Sequence, residues 1–184
     1  VLISLSYLLL AGTAVAGHHG EGASTDKAVI GYDTTSGKKS TLHAGSLDTV
    51  EIWSNYMKAH DDSDFDAIRE ANADDFTAST ADGSVIENTD AQIELLKEWF
   101  ATSNPKWTHQ YSIANELTDE EGDLQQWVTS GWELTEKTDG VVSRRQEIFD
   151  VLIENDKINK EYPVKIVNKF DIDLSFFINC IKLI

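Results

Sequence analysis

The chain has 184 residues, of which 41% are hydrophobic and 26% charged, which fits one soluble domain with a sizeable core. Its formal net charge of −17 at pH 7 repels phosphate backbones and anionic lipid, so we expect no nucleic-acid partner. Cys180 is the only cysteine, which excludes an intrachain disulfide and a cysteine-rich metal site.

The N-terminal segment, residues 1–16, has the pattern of an export signal. It carries no charged side chain, its apolar run extends from Leu2 to Leu10, and Ala14-Val15-Ala16 is a small-x-small cleavage site. The run is too short to be a stable membrane anchor. We therefore predict a signal peptide, truncated at its start, and a periplasmic or secreted protein. The alternative is a buried N-terminal strand or helix.

The next segment, residues 17–46, is rich in Gly, Ser, Thr and His and shows no sustained periodicity. Such a composition is typical of a flexible linker or arm. We predict at most one short strand here, over residues 28–32.

Helical periodicity begins at Leu47. Val50, Trp53, Met57 and His60 fall on one stripe, which predicts an amphipathic helix.

Two further helices are predicted after an acidic break. Residues 65–70 form a short second helix, and residues 75–80 form a strand. A third helix starts at Thr89-Asp90 and ends at Asn104-Pro105.

From Trp107 the period changes to two, which predicts strands. Turn signals at Asp139-Gly140 and Asn155-Asp156 separate the later strands. The predicted strands cover residues 107–117, 124–136, 141–153 and 157–162, and in the first of them Trp107, His109, Tyr111, Ile113 and Leu117 share one face. Three helices followed by an antiparallel meander predict an α+β fold.

The apolar tail, residues 163–184, leaves three interpretations open. It is a last strand of the sheet, an edge that binds a partner, or sequence that does not belong to the domain.

This order of elements resembles the NTF2-like superfamily, in its SnoaL-like and ketosteroid-isomerase-like branch, over residues 47–162. The segments that carry the resemblance are residues 50–56, 64–68, 73–76, 139–140 and 145–150. The resemblance implies a cone, in which three N-terminal helices pack on a curved antiparallel or mixed β-sheet around a pocket. Members include isomerases, cyclases and dehydratases, and others only bind ligands, so the fold alone does not assign a function.

The resemblance also implies roles for single residues. Tyr56 falls where the isomerases keep an oxyanion-stabilising tyrosine, and Thr80 falls where they keep an aspartate base. Asp82, two residues further, would face the same side of a continuing strand. The third isomerase carboxylate falls near Ile148 or Phe149; Glu147 is adjacent, but strand parity would turn it to the other face. The base is therefore displaced or absent.

The candidate catalytic residues are His109, Tyr56 and Asp82. His109 could move protons near neutral pH, Tyr56 could polarise a carbonyl, and Asp82 could act as a general base if burial raised its pKa. The alternatives are a histidine at the sheet edge, a core tyrosine and a turn aspartate.

The candidate ligand-binding residues are Trp53, Tyr56, Trp99, His109, Trp132, Arg145 and Glu147. Tryptophans in an open cone would favour flat apolar ligands, although they usually fill a core. Arg145 and Glu147 could orient a polar ligand, or form a surface ion pair.

We therefore expect an exported domain that binds a small apolar or aromatic molecule. The alternative is a cofactor-free isomerase, cyclase or dehydratase that uses Tyr56 with His109 or Asp82. We predict no cofactor and no metal, and a homodimer that forms through the sheet.

Overall fold

The structure is a computed structural model that describes residues 27–80 and 83–166. In this part of the chain, three helices pack on one face of an eight-stranded sheet. The helices are α1 (Leu47–Asp62), α2 (Phe65–Ala71) and α3 (Thr89–Ser103). The strands are β1 (Val29–Asp33), β2 (Ser40–Ala44), β3 (Asn72–Ser79), β4 (Val85–Ile86), β5 (Lys106–Thr118), β6 (Leu124–Thr138), β7 (Val141–Glu154) and β8 (Lys157–Ile166).

The sheet has the strand order β1-β2-β5-β6-β7-β8-β3-β4, and all neighbours are antiparallel except β3 and β8. Both predicted hairpin turns are confirmed. Asp139 and Gly140 have φ of 51° and 82°, and Asn155 and Asp156 have φ of 51° and 61°. Two successive positive φ values are the geometry that Asn, Asp and Gly tolerate best in two-residue hairpins.

The local sequence explains where α1 begins and ends. The Ser46 hydroxyl accepts a hydrogen bond from the Asp48 amide at 3.2 Å, and Ser63 ends the helix with a positive φ of 57°. Trp53, Met57 and His60 of the predicted stripe are buried, Val50 is partly buried, and Trp53 is completely enclosed. Its indole Nε1 donates to the Ser130 hydroxyl on β6 at 2.8 Å, so α1 is fixed to the middle of the sheet.

The prediction of a flexible arm over residues 17–46 is wrong for residues 29–44. These residues form the β1–β2 hairpin, which includes the one short strand predicted there. The hairpin extends the sheet because β2 pairs with β5, and the Gly45 amide donates to the Ala114 carbonyl at 2.9 Å. Two strands thus precede α1 and two more separate α2 from α3, so the helices are not contiguous at the N-terminus.

The prediction that Trp107 and Tyr111 share one face of β5 is wrong, because the strand has a β-bulge at Gln110. The register shifts between His109 and Tyr111, so side chains on either side of the bulge point to opposite faces. Trp107 is buried under the helices, whereas Tyr111 and Ile113 are exposed on the outer face. The strict alternation expected from Trp107 onward is therefore interrupted.

A second irregularity lies at Asn159 on β8. Ile153 pairs with Ile158, but Leu152 pairs with Lys160, so Asn159 is the extra residue. The shift places Glu161 opposite the completely buried Val151, on the face that carries the helices.

The β8 strand continues past the predicted end at residue 162. Residues 1–26 and 167–184 lie outside the described residues, so the signal peptide and most of the apolar tail stay predictions. No helix in the described ranges is both long enough and apolar enough to cross a membrane.

Candidate active site

A cavity of about 260 Å³ lies between α1, α3 and strands β3, β7 and β8. Most of its lining is apolar, and this part includes Met57, Ile86, Leu96, Trp99, Trp107 and Phe149. The polar lining includes His60, Gln92, Arg145, Glu147 and Glu161. A mainly apolar hollow with a few converging polar groups is the usual form of a small-molecule site.

Charge-assisted hydrogen bonds connect two tryptophans that line the cavity, Trp99 and Trp107, through Glu136, Arg145 and Glu147. Trp99 Nε1 donates to Glu136 at 2.7 Å, and Trp107 Nε1 donates to Glu147 at 3.0 Å. Arg145 is shared between the two carboxylates, since it contacts Glu136 and donates through Nε to Glu147 at 2.8 Å. Each of these five side chains is thus held in one orientation by a neighbour.

Glu161 has no ion pair of this kind with any residue in the described ranges. Its side chain lines the cavity, the residue is only 9% exposed, and its buried Oε2 atom has no hydrogen-bond partner. Burial, and secondly the negative charge of Glu147, raise the pKa of Glu161 from 4.5 to about 7. The carboxyl group therefore exists in both protonation states near neutral pH.

Tyr56 lies beside Glu161 but belongs to a polar network behind the cavity wall. Gln92 Nε2 donates to the Tyr56 hydroxyl at 2.8 Å, and Asn72 donates to Gln92 Oε1 at 2.8 Å. Burial, and secondly the charge of Glu161, hold the pKa of Tyr56 well above its ordinary value. Tyr56 is therefore a neutral hydroxyl that fixes Gln92, which lines the cavity.

His60 contributes a neutral imidazole to the lining. Its Nδ1 lies 2.9 Å from the Tyr56 carbonyl oxygen, and because a carbonyl only accepts, Nδ1 carries the proton. Burial lowers the pKa of His60 from 6.5 to about 4. The ring also meets Trp107 edge to face, with centroids 5.9 Å apart.

The arrangement supplies one group that can exchange a proton near pH 7. Glu147 has both oxygens occupied by donors from Trp107 and Arg145, whereas Glu161 has an unpartnered oxygen. Neighbouring carboxyls in different environments are a recurring device for acid–base chemistry. The cavity can therefore enclose an apolar molecule and present a titratable carboxyl to it.

The structure brings some predicted site residues to the cavity. Trp99, Arg145 and Glu147 line it, and Tyr56 lies immediately behind it.

The other predicted residues lie elsewhere. Trp53 and Trp132 are core residues, and both indoles donate to Ser130. His109 is exposed and does not line the cavity. Its ring contacts Trp132 and the Ser112 hydroxyl. Asp82 lies outside the described residues.

Sequence reasoning missed Glu161 and His60 as site residues. His60 was already on the predicted buried stripe of α1, so a polar residue on an apolar face was the available signal. Glu161 had no comparable signal, because simple alternation from Ile158 places it on the opposite face. The extra residue Asn159 reverses that parity.

The described residues contain no group of three or more His, Cys, Asp or Glu side chains suited to holding a metal ion.

No protein-family model matches the sequence, and comparison with curated proteins finds no match. Solved structures do match. An LEH-like epoxide hydrolase from M. tuberculosis superposes with a TM-score of 0.55 and 12% identity, covering 75% of this chain and 96% of that one. A Xanthomonas campestris pv. campestris protein named for the polyketide cyclases gives a TM-score of 0.52 and 13% identity, covering 71% and 94%.

A third match is a protein with a ketosteroid isomerase-like fold from Catenulispora acidiphila, in complex with trimethylamine. It has a TM-score of 0.50 and 15% identity, and covers 61% of this chain and 83% of that one. The chain has the NTF2-like fold. The predicted likeness of fold to SnoaL-like and ketosteroid-isomerase-like proteins is thereby confirmed. At these identities the likeness assigns no reaction to this NTF2-like chain.

Proposed function

We propose that this NTF2-like domain binds a small, largely apolar molecule in its cavity and transfers a proton to or from it through Glu161. The observation that carries the proposal is the buried Glu161 carboxyl, which lines an apolar hollow with an unpartnered oxygen. The reaction class is that of a cofactor-free isomerase or cyclase.

The protonation behaviour of Glu161 supports a catalytic role. A general acid or base works best when its pKa lies near the working pH, because both protonation states are then accessible. The pKa of Glu161 is about 7, whereas burial keeps His60 neutral and Tyr56 protonated. Glu161 therefore takes the role that the sequence assigned to His109 or Asp82.

The fold neighbours support catalysis over binding alone, since two of them are named for epoxide hydrolases and polyketide cyclases. The second candidate is a binding module without catalysis. It is favoured by the mainly apolar lining with Trp99 and Trp107 in the wall. The trimethylamine complex of the third neighbour supports a small ligand in either case.

A general probe of base catalysis separates the two candidates. The probe is 5-nitrobenzisoxazole, from which a carboxylate removes the ring C–H proton as the N–O bond breaks to give a coloured phenolate. We expect the wild-type rate to rise with pH through about 7, following ionisation of Glu161. Glu161→Gln should lower the rate about a hundredfold or more at pH 8, which is the range typical of a general base.

Glu94→Gln is the matched control, because Glu94 is exposed on α3. It should leave the rate unchanged. A Glu161→Gln variant as fast as wild type would contradict catalysis by Glu161, as would a wild-type rate no higher than that of free acetate at the same pH.

We further propose export, from the signal-like pattern of residues 1–16. N-terminal sequencing of the protein recovered outside the cytoplasm should begin at Gly17, and an intact residue 1–16 segment on that protein would refute cleavage.

We also propose a homodimer through the outer face of the sheet. Tyr111, Ile113 and Tyr162 are exposed on this face, and Tyr162 stacks on Trp127 with centroids 6.2 Å apart. Sedimentation equilibrium should give twice the monomer mass, and Ile113→Lys should restore the monomer. A monomeric wild type at micromolar concentration would refute the dimer.

A further inference from the structure

We propose that the preferred occupant of the cavity is an apolar cation, a small molecule that carries a tertiary or quaternary ammonium group next to hydrocarbon. This proposal names the ligand class of the site proposed above and so depends on that site being the binding cavity. It rests on the charges, the aromatic walls and the unpartnered oxygen that meet there.

The charges facing the cavity leave a negative excess. Arg145 is the one cationic side chain among the described lining residues, and it is already shared between Glu136 and Glu147. That group carries one net negative charge when both carboxylates are ionised. Ionised Glu161 adds a second negative charge, for which the described residues provide no counter-ion, so a bound cation would balance it.

The groups around Glu161 do not oppose a cation. From α1, Tyr56 keeps its proton and His60 is neutral at pH 7, because burial lowers the pKa of His60 to about 4. From β7, Arg145 is held by its carboxylates, and Glu147 attracts positive charge. The neighbouring β3, β4 and α3, with Thr80 directly after β3, contribute uncharged lining residues in the described part of the chain: Ala78, Ser79, Thr80, Ile86, Gln92, Leu95, Leu96 and Trp99.

The aromatic walls are suited to a cation rather than to a neutral hydrocarbon alone. Trp99 and Trp107 meet nearly at right angles, with an interplanar angle of 83° and centroids 5.5 Å apart. Each indole N–H donates to a carboxylate, which draws positive charge to the ring edge and leaves the ring face electron-rich. A cation over an indole face gains about 0.5–2 kcal/mol, with the larger values in desolvated sites.

The unpartnered oxygen gives the site its directional contact. Glu161 Oε2 is buried without a donor, and a buried acceptor left unpaired is costly. A tertiary ammonium would donate its N–H to this oxygen, and a quaternary ammonium, which has no N–H, would compensate the carboxylate by charge alone, whereas an anion would be repelled. The net charge of −17 acts in the same direction at long range, because it concentrates cations near the molecule.

The test compares two probes of the same shape. Phenyltrimethylammonium and tert-butylbenzene differ only in replacing a positively charged nitrogen by carbon, so their affinities separate charge from apolar contact. Binding is measured on the full chain by tryptophan fluorescence and by calorimetry. At pH 8 we expect wild type to bind the cation at least tenfold more tightly than the hydrocarbon.

Two further readouts connect the preference to Glu161. Since the pKa of Glu161 is about 7, lowering the pH from 8 to 6 should weaken cation binding about tenfold, and binding at pH 6 should release protons. Glu161→Gln should abolish the preference for the cation, whereas Glu94→Gln should retain it.

A wild type that binds the cation no more tightly than tert-butylbenzene would overturn the proposal, and so would failure to bind either probe. So would a preference that survives in Glu161→Gln, or that does not change between pH 6 and pH 8. These results are distinguishable from failure of the proposed function. Proton transfer would still stand if 5-nitrobenzisoxazole were converted through Glu161, and would fall if that reaction did not depend on Glu161 or ran no faster than with free acetate.

Discussion

Replacing Glu161 by glutamine should stabilise the protein at pH 8 and leave its stability nearly unchanged at pH 4.5. Glutamine keeps the shape of a protonated glutamate but cannot ionise. In wild type, the pKa of Glu161 rises from 4.5 in the unfolded chain to about 7 in the folded cavity. At ~1.36 kcal/mol for each pH unit, this rise corresponds to about 3 kcal/mol.

The direction in which stability changes with pH follows from the number of protons that the folded and unfolded states bind. Between pH 4.5 and pH 7 the folded state holds a proton on Glu161 that the unfolded state has lost, so stability falls as the pH rises. Below pH 4.5 both states are protonated, and above pH 7 the folded state carries the whole ionisation cost. Glu161→Gln removes that cost, so its advantage over wild type should grow to about 3 kcal/mol at pH 8.

His60 makes a comparison of two variants necessary. Burial lowers the pKa of His60 from 6.5 to about 4, so the unfolded state binds more protons and stability rises with pH across this window. In wild type, His60 and Glu161 therefore change the free energy of unfolding in opposite directions as the pH rises. Both proteins contain His60, so its contribution cancels when the stability of wild type is subtracted from that of Glu161→Gln.

The assay is urea unfolding at pH 4.5 and pH 8, monitored by tryptophan fluorescence. At pH 8 a gain of 3 kcal/mol corresponds to a melting temperature about 6–12 °C higher for a chain of this size. Glu94→Gln should show no pH-dependent difference, because Glu94 is exposed. A Glu161→Gln variant whose difference from wild type is the same at both pH values would refute the reasoning, as would one that is less stable at pH 8.

Two further substitutions test the packing around the site. Ser130→Ala should destabilise the protein by roughly 2–4 kcal/mol in urea unfolding, because the Trp53 and Trp132 indole donors both lose their buried acceptor. Exposed Ser143→Ala is its control, and equal stability of the two variants would count against this role. Gly45→Ala would place a Cβ 2.9 Å from the Asn115 backbone nitrogen, so hydrogen exchange should increase in β1 and β2 but not in β6. Gly31→Ala meets only the Leu42 side chain, at 3.6 Å, and the same exchange pattern in both glycine variants would exclude steric contact as the cause.

The sequence was most informative where structure is local. The stripe of α1, the stop at Asn104-Pro105 and the two hairpin turns depend on residues close together in the chain. The β1–β2 hairpin was not predicted because its strands are short and are stabilised by pairing with β5, about 70 residues further along the chain.

The site was harder to predict because two inserted residues change strand parity. One extra residue reverses which side chains face the core, and nothing at Gln110 or Asn159 indicates such a change. The first bulge separates the face of Trp107 from that of Tyr111, and the second turns Glu161 inward. Arg145 and Glu147 were placed correctly on one face, because β7 keeps its alternation through that region.

The central claim is that one buried carboxyl in the cavity titrates near neutral pH. The direct test is an NMR titration of the full chain with ¹³C-labelled glutamate side-chain carboxyls, followed from pH 3 to pH 9. We expect one glutamate resonance with a midpoint near 7 that is absent from Glu161→Gln. A titration in which every glutamate has its midpoint below about 5.5, close to the ordinary range, would contradict the account.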